Sequence, residues 1–142
     1  MTAMLFESVL RVWLDEGMSK QHNEGFLKLV NEAKKNIREL SIEQVLEMRK
    51  RGEKFCLVDV REESEWAAGR AQGAIYLGKG VIERDIETEI PNKDEAIVLY
   101  CGGGFRSALS AEALQKMGYT KVWSMDGGIR GWRERGLPED RD

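Results

Sequence analysis

The sequence is short of the residues that staple or metallate small proteins. Of its 142 residues two are cysteine, Cys56 and Cys101, and one is histidine, His22. The cysteines lie far apart, with no C-x-x-C or histidine-rich spacing around them, which argues against a disulfide framework and against a structural zinc site. No apolar run approaches the ~20 residues that a membrane span needs. Lysine and arginine form no nucleic-acid patch; Met48-Arg49-Lys50-Arg51 is short and reads as a solvated helix end. The net charge of -3 is spread without blocks. Met1 to Leu14 is apolar, yet Glu7 and Arg11 interrupt it and no basic segment precedes it, so it does not read as a secretory leader. These absences predict a soluble, cytoplasmic protein with no metal, no nucleic-acid partner and no membrane partner.

What is present suits one domain with its own core, at 42% hydrophobic content. Strand-like runs at 55–60, 74–77, 96–100 and 121–124 alternate with helical patterns at 62–68, 80–89, 106–117 and 128–135. That alternation predicts an α/β fold, a mainly parallel central sheet with helices on both faces. Ser41-Ile42-Glu43-Gln44 reads as a capping box opening a helix that runs to Arg51 and ends at Gly52. Cys56 falls in an apolar strand and reads as core.

Residues 1–39 read as a helical N-terminal extension and 40–142 as the α/β domain. Phe26, Leu29, Val30, Ala33, Ile37 and Leu40 recur with helical spacing and predict one helix of about four turns, whose stripe packs on the domain or on a second copy. Within the stretch from Met1 to about Gly25, Leu5, Phe6, Val9, Leu10, Val12, Trp13 and Leu14 make a further short amphipathic pattern ending at Gly17, read equally as a helix folded back or as a homodimer contact. His22 stands in a polar stretch and reads as a solvated loop. The extension is expected to stand apart from the functional loop described next, so that removing residues 1–25 is tolerated.

Cys101 closes the apolar run Ala96 to Tyr100 and opens Gly102-Gly103-Gly104-Phe105-Arg106-Ser107, after which a helical pattern begins. Successive glycines let the backbone curl through positive φ, so that several N–H groups converge on one point. Those amides, the N-terminus of the following helix and the Arg106 guanidinium all favour negative charge on the sulfur. The expected chemistry is that of a thiolate nucleophile. In open parallel sheets functional loops gather at the carboxyl ends of the strands, where Cys101 falls.

Four blocks in order resemble the rhodaneses, single-domain sulfurtransferases, over about residues 40–138. Leu57-Val58-Asp59-Val60-Arg61-Glu62 is similar to that family's D-x-R-E strand end. Glu65 with Gly69-Arg70-Ala71-Gln72-Gly73-Ala74-Ile75 is similar to its second block, Arg70 replacing the usual histidine. Tyr100 to Ser107 matches C-x-x-G-x-R-S, and Gly118-Tyr119 with Met125 to Trp132 matches G-[FY] and L-x-G-G-x-x-x-W. The resemblance implies the rhodanese-like form of the α/β fold and a donor such as thiosulfate.

On this reading Cys101 is catalytic, and Gly102, Gly103, Gly104, Phe105, Arg106 and Ser107 bind substrate. The resemblance implies a supporting position beside the loop for Asp59 and Arg61; the competing and preferred reading of the two is a purely structural ion pair. The sulfur passes through a persulfide on Cys101 to cyanide, a thiol or a partner protein, with no cofactor. Two other classes compete. Phosphatases of the same fold place five residues between cysteine and arginine where this chain has Gly102 to Phe105, and carry a histidine where this chain has Tyr100. A noncatalytic binding module would have no use for the cysteine.

Overall fold

The computed structural model describes residues 22–142. The short amphipathic pattern before Gly17 lies outside them. The chain runs α1 (Glu24–Lys34), β1 (Arg38–Leu40), α2 (Ile42–Lys50), β2 (Cys56–Asp59), α3 (Glu63–Ala68), β3 (Arg70–Ala71) and β4 (Ile75–Tyr76). It continues as α4 (Ile82–Glu89), β5 (Ile97–Tyr100), α5 (Phe105–Lys116), β6 (Val122–Met125), α6 (Gly128–Glu134) and β7 (Glu139–Asp140). Five strands form one sheet in the order β1-β6-β5-β2-β4, every pairing parallel, while β3 and β7 form a small antiparallel pair.

The two faces of the sheet follow from the period-two alternation of strand side chains. Ile97 and Leu99 of β5 join Val58, Val60 and Cys101 in the core beneath α4 and α5. Val98 and Tyr100 join Leu57, Met125 and Trp132 in the core beneath α2 and α6. Helix α4 reaches the first core through Ile82 and Ile86, one turn apart, with Ile90 at its end; all three are buried. The capping box at α2 is formed, Ser41 Oγ accepting from Gln44 N at 3.1 Å and Gln44 Oε1 accepting from Ser41 N at 2.8 Å. Among the described residues no helix is long and apolar enough to cross a membrane.

One sequence expectation is corrected. The stripe from Phe26 to Leu40 is not one helix, because α1 ends at Lys34 and Leu40 belongs to β1, an edge strand paired with β6. Parallel pairing overrides helical periodicity there. The turn between them is fastened to α5: Asn36 Nδ2 donates to Glu112 Oε2 at 3.0 Å, and the Asn36 carbonyl accepts from Gln115 Nε2 at 2.7 Å. Val30 and Ala33 are buried and α1 lies against α5, but Leu29 of the same stripe is 58% exposed. The sheet thus takes in residues from Arg38, two before the position where the sequence reading begins the α/β domain.

Candidate active site

Cys101 leaves the carboxyl end of β5, the middle strand, and its side chain is buried at 1% exposure. Gly104 N donates to its Sγ at 3.2 Å and Ser107 N at 3.4 Å. These amides belong to the first turn of α5, which lacks intrahelical acceptors and points its N–H groups at the sulfur. Ser107 Oγ lies 3.5 Å from Sγ and 2.7 Å from Ser124 Oγ on β6, so a buried serine pair fixes the hydroxyl beside the sulfur. Burial opposes ionisation of the Cys101 thiol, but the Ser107 hydroxyl and the amides of Ser107, Gly104 and Gly103 outweigh it and hold the thiol below its ordinary value.

The loop is held in shape from behind by α6. Ile129 N donates to the Cys101 carbonyl at 2.9 Å, Arg130 N to that of Gly102 at 3.1 Å and Gly127 N to that of Gly103 at 3.2 Å. Three carbonyls are thereby turned away from the sulfur. The approach is so close that a Cβ on Gly128, at φ +53°, would collide with the Cys101 carbonyl and lie 2.7 Å from Gly102 C. Of the three loop glycines only Gly104 has positive φ, at +108°. Gly102 and Gly103 instead leave room for side chains: a Cβ would stand 3.2 Å from Arg106 Nη2 at the first and 3.5 Å from Arg130 Nη1 at the second.

Arg106 does not point a free charge at the sulfur. Its Nη1 and Nη2 donate to Glu65 Oε1 and Oε2 at 2.8 and 3.2 Å, a bidentate pair that raises the arginine's pKa and lowers that of Glu65. The sequence reading gave Glu65 no role. Burial and the neighbouring Glu95 carboxylate push the Cys56 thiol up, away from reactivity; the residue read from the sequence as core is half-buried and packs against the core from its edge.

Asp59 and Arg61 meet as a buried pair, 2.7 Å between Oδ2 and Nη2. Tyr100 Oη donates to the same Oδ2 at 2.7 Å and accepts from Ala71 N at 3.1 Å, while Arg61 Nη2 also donates to the Gly69 carbonyl at 2.7 Å. The network joins the ends of β2 and β5 to the 69–71 segment. Burial and the adjacent Asp59 carboxylate push the Tyr100 phenol far up, so it stays a neutral donor. Tyr100 anchors the strand end one residue before Cys101.

A hollow of about 460 Å³ opens over Cys101, and its wall includes two residues absent from the sequence reading of the site, His22 and Phe26. His22 is not a solvated loop residue: its ring lies 4.6 Å from Phe105 and 5.1 Å from Phe26. The extension therefore does not stand apart from the loop, and removing residues 1–25 would take away part of the wall. No motif marks these residues; they reach the site because α1 packs on α5, whose first residue is Phe105. Among the described residues no group of three or more His, Cys, Asp or Glu side chains could hold a metal.

The family described as Rhodanese-like domain matches residues 41–135. A sulfurtransferase of Allochromatium vinosum is 38% identical over 86 residues, 61% of this chain and 78% of its own length. A tRNA uridine(34) hydroxylase of Protochlamydia amoebophila is 31% identical over 106 residues, 70% of this chain but 32% of the relative. A solved structure from Rhodopseudomonas palustris, of unknown function and described as a possible tyrosine phosphatase, superimposes with a TM-score of 0.71 at 29% identity, covering 87% of this chain and 99% of its own.

Proposed function

The chain belongs to the rhodanese-like domain family, and from that premise we propose that it is a sulfurtransferase moving sulfane sulfur from thiosulfate or a related anion to cyanide or a thiol, through a persulfide on Cys101. The observation that carries this reading is the buried sulfur receiving two amides and a hydroxyl at 3.2–3.5 Å, with its thiol held below the ordinary range. Such a site stabilises a sulfur anion and needs no general base.

In the first half-reaction the Cys101 thiolate attacks the outer sulfur of thiosulfate. A new S–S bond forms, the donor's S–S bond breaks, and sulfite leaves with the electron pair. The persulfide anion then occupies the amide cradle. In the second, cyanide or a thiolate attacks the outer sulfur and the Cys101 thiolate departs, restored. No net oxidation occurs and no cofactor enters. Free thiols at Cys56 and Cys101 suit a reducing compartment, which agrees with the cytoplasmic setting this reading expects.

The test is thiocyanate formation from thiosulfate and cyanide, together with a mass increase of about 32 Da on Cys101, one sulfur atom, removable by a thiol. Cys101→Ser abolishes both, while Cys56→Ser keeps the activity. The Rhodopseudomonas palustris structure supports a second reading, a phosphatase. Phosphate release from an aryl phosphate that disappears in Cys101→Ser, with no thiocyanate formed, would replace the first reading by the second. Neither activity and no sulfur adduct would leave a binding module.

A further inference from the structure

Four arginines surround the mouth of the Cys101 hollow and its neighbour: Arg61, Arg106, Arg130 and Arg133. Three are neutralised. Arg61 pairs with Asp59 at 2.7 Å, Arg106 with Glu65 at 2.8 Å and Arg133 with Glu139 at 2.9 Å. Among the described residues Arg130 has no acidic partner, and its side chain is exposed at the lip of both hollows. Its backbone is fixed by the bond to the Gly102 carbonyl, and its guanidinium hangs over Gly103. An unpaired guanidinium on a rigid support beside a buried nucleophile is an anion receptor.

Lining the same hollow are the rings of His22, Phe26 and Phe105, whose centroids lie 4.6–6.3 Å apart. Lys34 Nζ sits 5.1 Å from the Phe105 centroid and helps hold that ring. Thiosulfate is a small dianion with no apolar surface. It would fill a minor part of a 460 Å³ hollow and leave the three rings against water. Apolar walls with a few placed polar groups are what sites for organic ligands present. Two of the three rings come from residues before position 41, outside the part of the chain the family accounts for.

We propose that Arg130 and the His22–Phe26–Phe105 wall bind an organic sulfane-sulfur anion, a donor whose charged end meets Arg130 and whose planar apolar body lies on the rings. The proposal rests on the sulfurtransferase reading and names the substrate class for it. With a thiosulfonate R–SO2–S⁻, the Cys101 thiolate attacks the terminal sulfur, the donor's S–S bond breaks, and the sulfinate R–SO2⁻ leaves with the electron pair. The body R never reacts. It contributes binding alone, and so separates aryl from methyl donors.

The experiment measures kcat/KM for benzenethiosulfonate, methanethiosulfonate and thiosulfate with the full chain. The expected aryl-to-methyl ratio is about fivefold or more. Phe26→Ala brings that ratio toward one, and Phe26→Leu, which keeps apolar bulk without a ring, lowers it as well should the alanine variant fold poorly. Arg130→Ala lowers kcat/KM for all three donors by about tenfold, chiefly through KM, and Arg130→Lys restores part of the loss. Thiosulfate turnover without an aryl preference, a ratio unmoved by both Phe26 variants, or an Arg130→Ala variant equal to the parent would each overturn the proposal while leaving Cys101 as a sulfur carrier. Failure of all three donors to form a persulfide would overturn the sulfurtransferase reading itself, and the proposal with it.

Discussion

Both carboxylate oxygens of Glu65 accept from the two terminal nitrogens of Arg106, so the cation of the Cys101 loop is balanced before any anion arrives. The pair joins the start of α3 to the start of α5 across the mouth of the site. Glu65→Gln keeps a hydrogen-bonding partner for the arginine but unmasks its charge. The KM for thiosulfate should fall severalfold, an effect that fades with added salt because the pair is partly exposed. A rise in KM would mean that the carboxylate matters for holding the guanidinium in place.

The pH dependence of Cys101 should follow its hydrogen bonds. Because the thiol is held below its ordinary value, alkylation by iodoacetamide should reach its plateau at a lower pH than a free thiol requires. Ser107→Ala removes the hydroxyl and should move the rising limb to higher pH. Stability follows the same sign: a thiol depressed in the folded state adds stability above its unfolded pKa of ~8.5 and loses it as pH falls through the folded value. Denaturant midpoints across that window should therefore show a smaller pH dependence in Ser107→Ala than in the parent.

Tyr100→Phe leaves the Asp59 carboxylate without one of its donors in a fully buried place, which should cost about 1–3 kcal/mol in denaturant unfolding. Asp59→Ala should cost more, about 3–5 kcal/mol, because Arg61 is then buried with no counter-charge. If both variants unfolded like the parent, the network would have no part in holding the strand ends.

At Gly128 a methyl group has nowhere to go. Gly128→Ala should destabilise by more than about 2 kcal/mol, and its surviving folded fraction should react more slowly at Cys101, since the loop carbonyls can no longer sit on α6. Gly25→Ala, where nothing among the described residues lies within 4 Å, serves as the control and should be close to neutral.

The strands that carry the site were legible because their segments are predominantly apolar, Cys56–Asp59 with three apolar residues before its aspartate and Ile97–Tyr100 apolar throughout. The helix after Ser41 was legible from its capping box. The two- and three-residue strands β1, β3 and β7 were not, since their sequences are short and mostly polar or charged, and only pairing makes them strands. In the site, Cys101 and its loop announce themselves by one contiguous motif. Ser124, Arg130 and Phe26 do not: each sits in a segment whose local pattern is satisfied by strand or helix alone, and becomes part of the site through packing. The carboxylate that neutralises Arg106 was in view as Glu65, yet a distance of 41 residues hides a pairing that only the fold creates.

The position of β5 in the sheet has a thermal consequence. With β6 on one side and β2 on the other, the strand that carries Cys101 is paired along both edges and should open late. Helix α1, which carries Phe26, rests on the outside of α5 and closes no sheet. On the proposed reading, warming should remove the discrimination between donors before it removes the power to react, so that donors are turned over indiscriminately just short of melting.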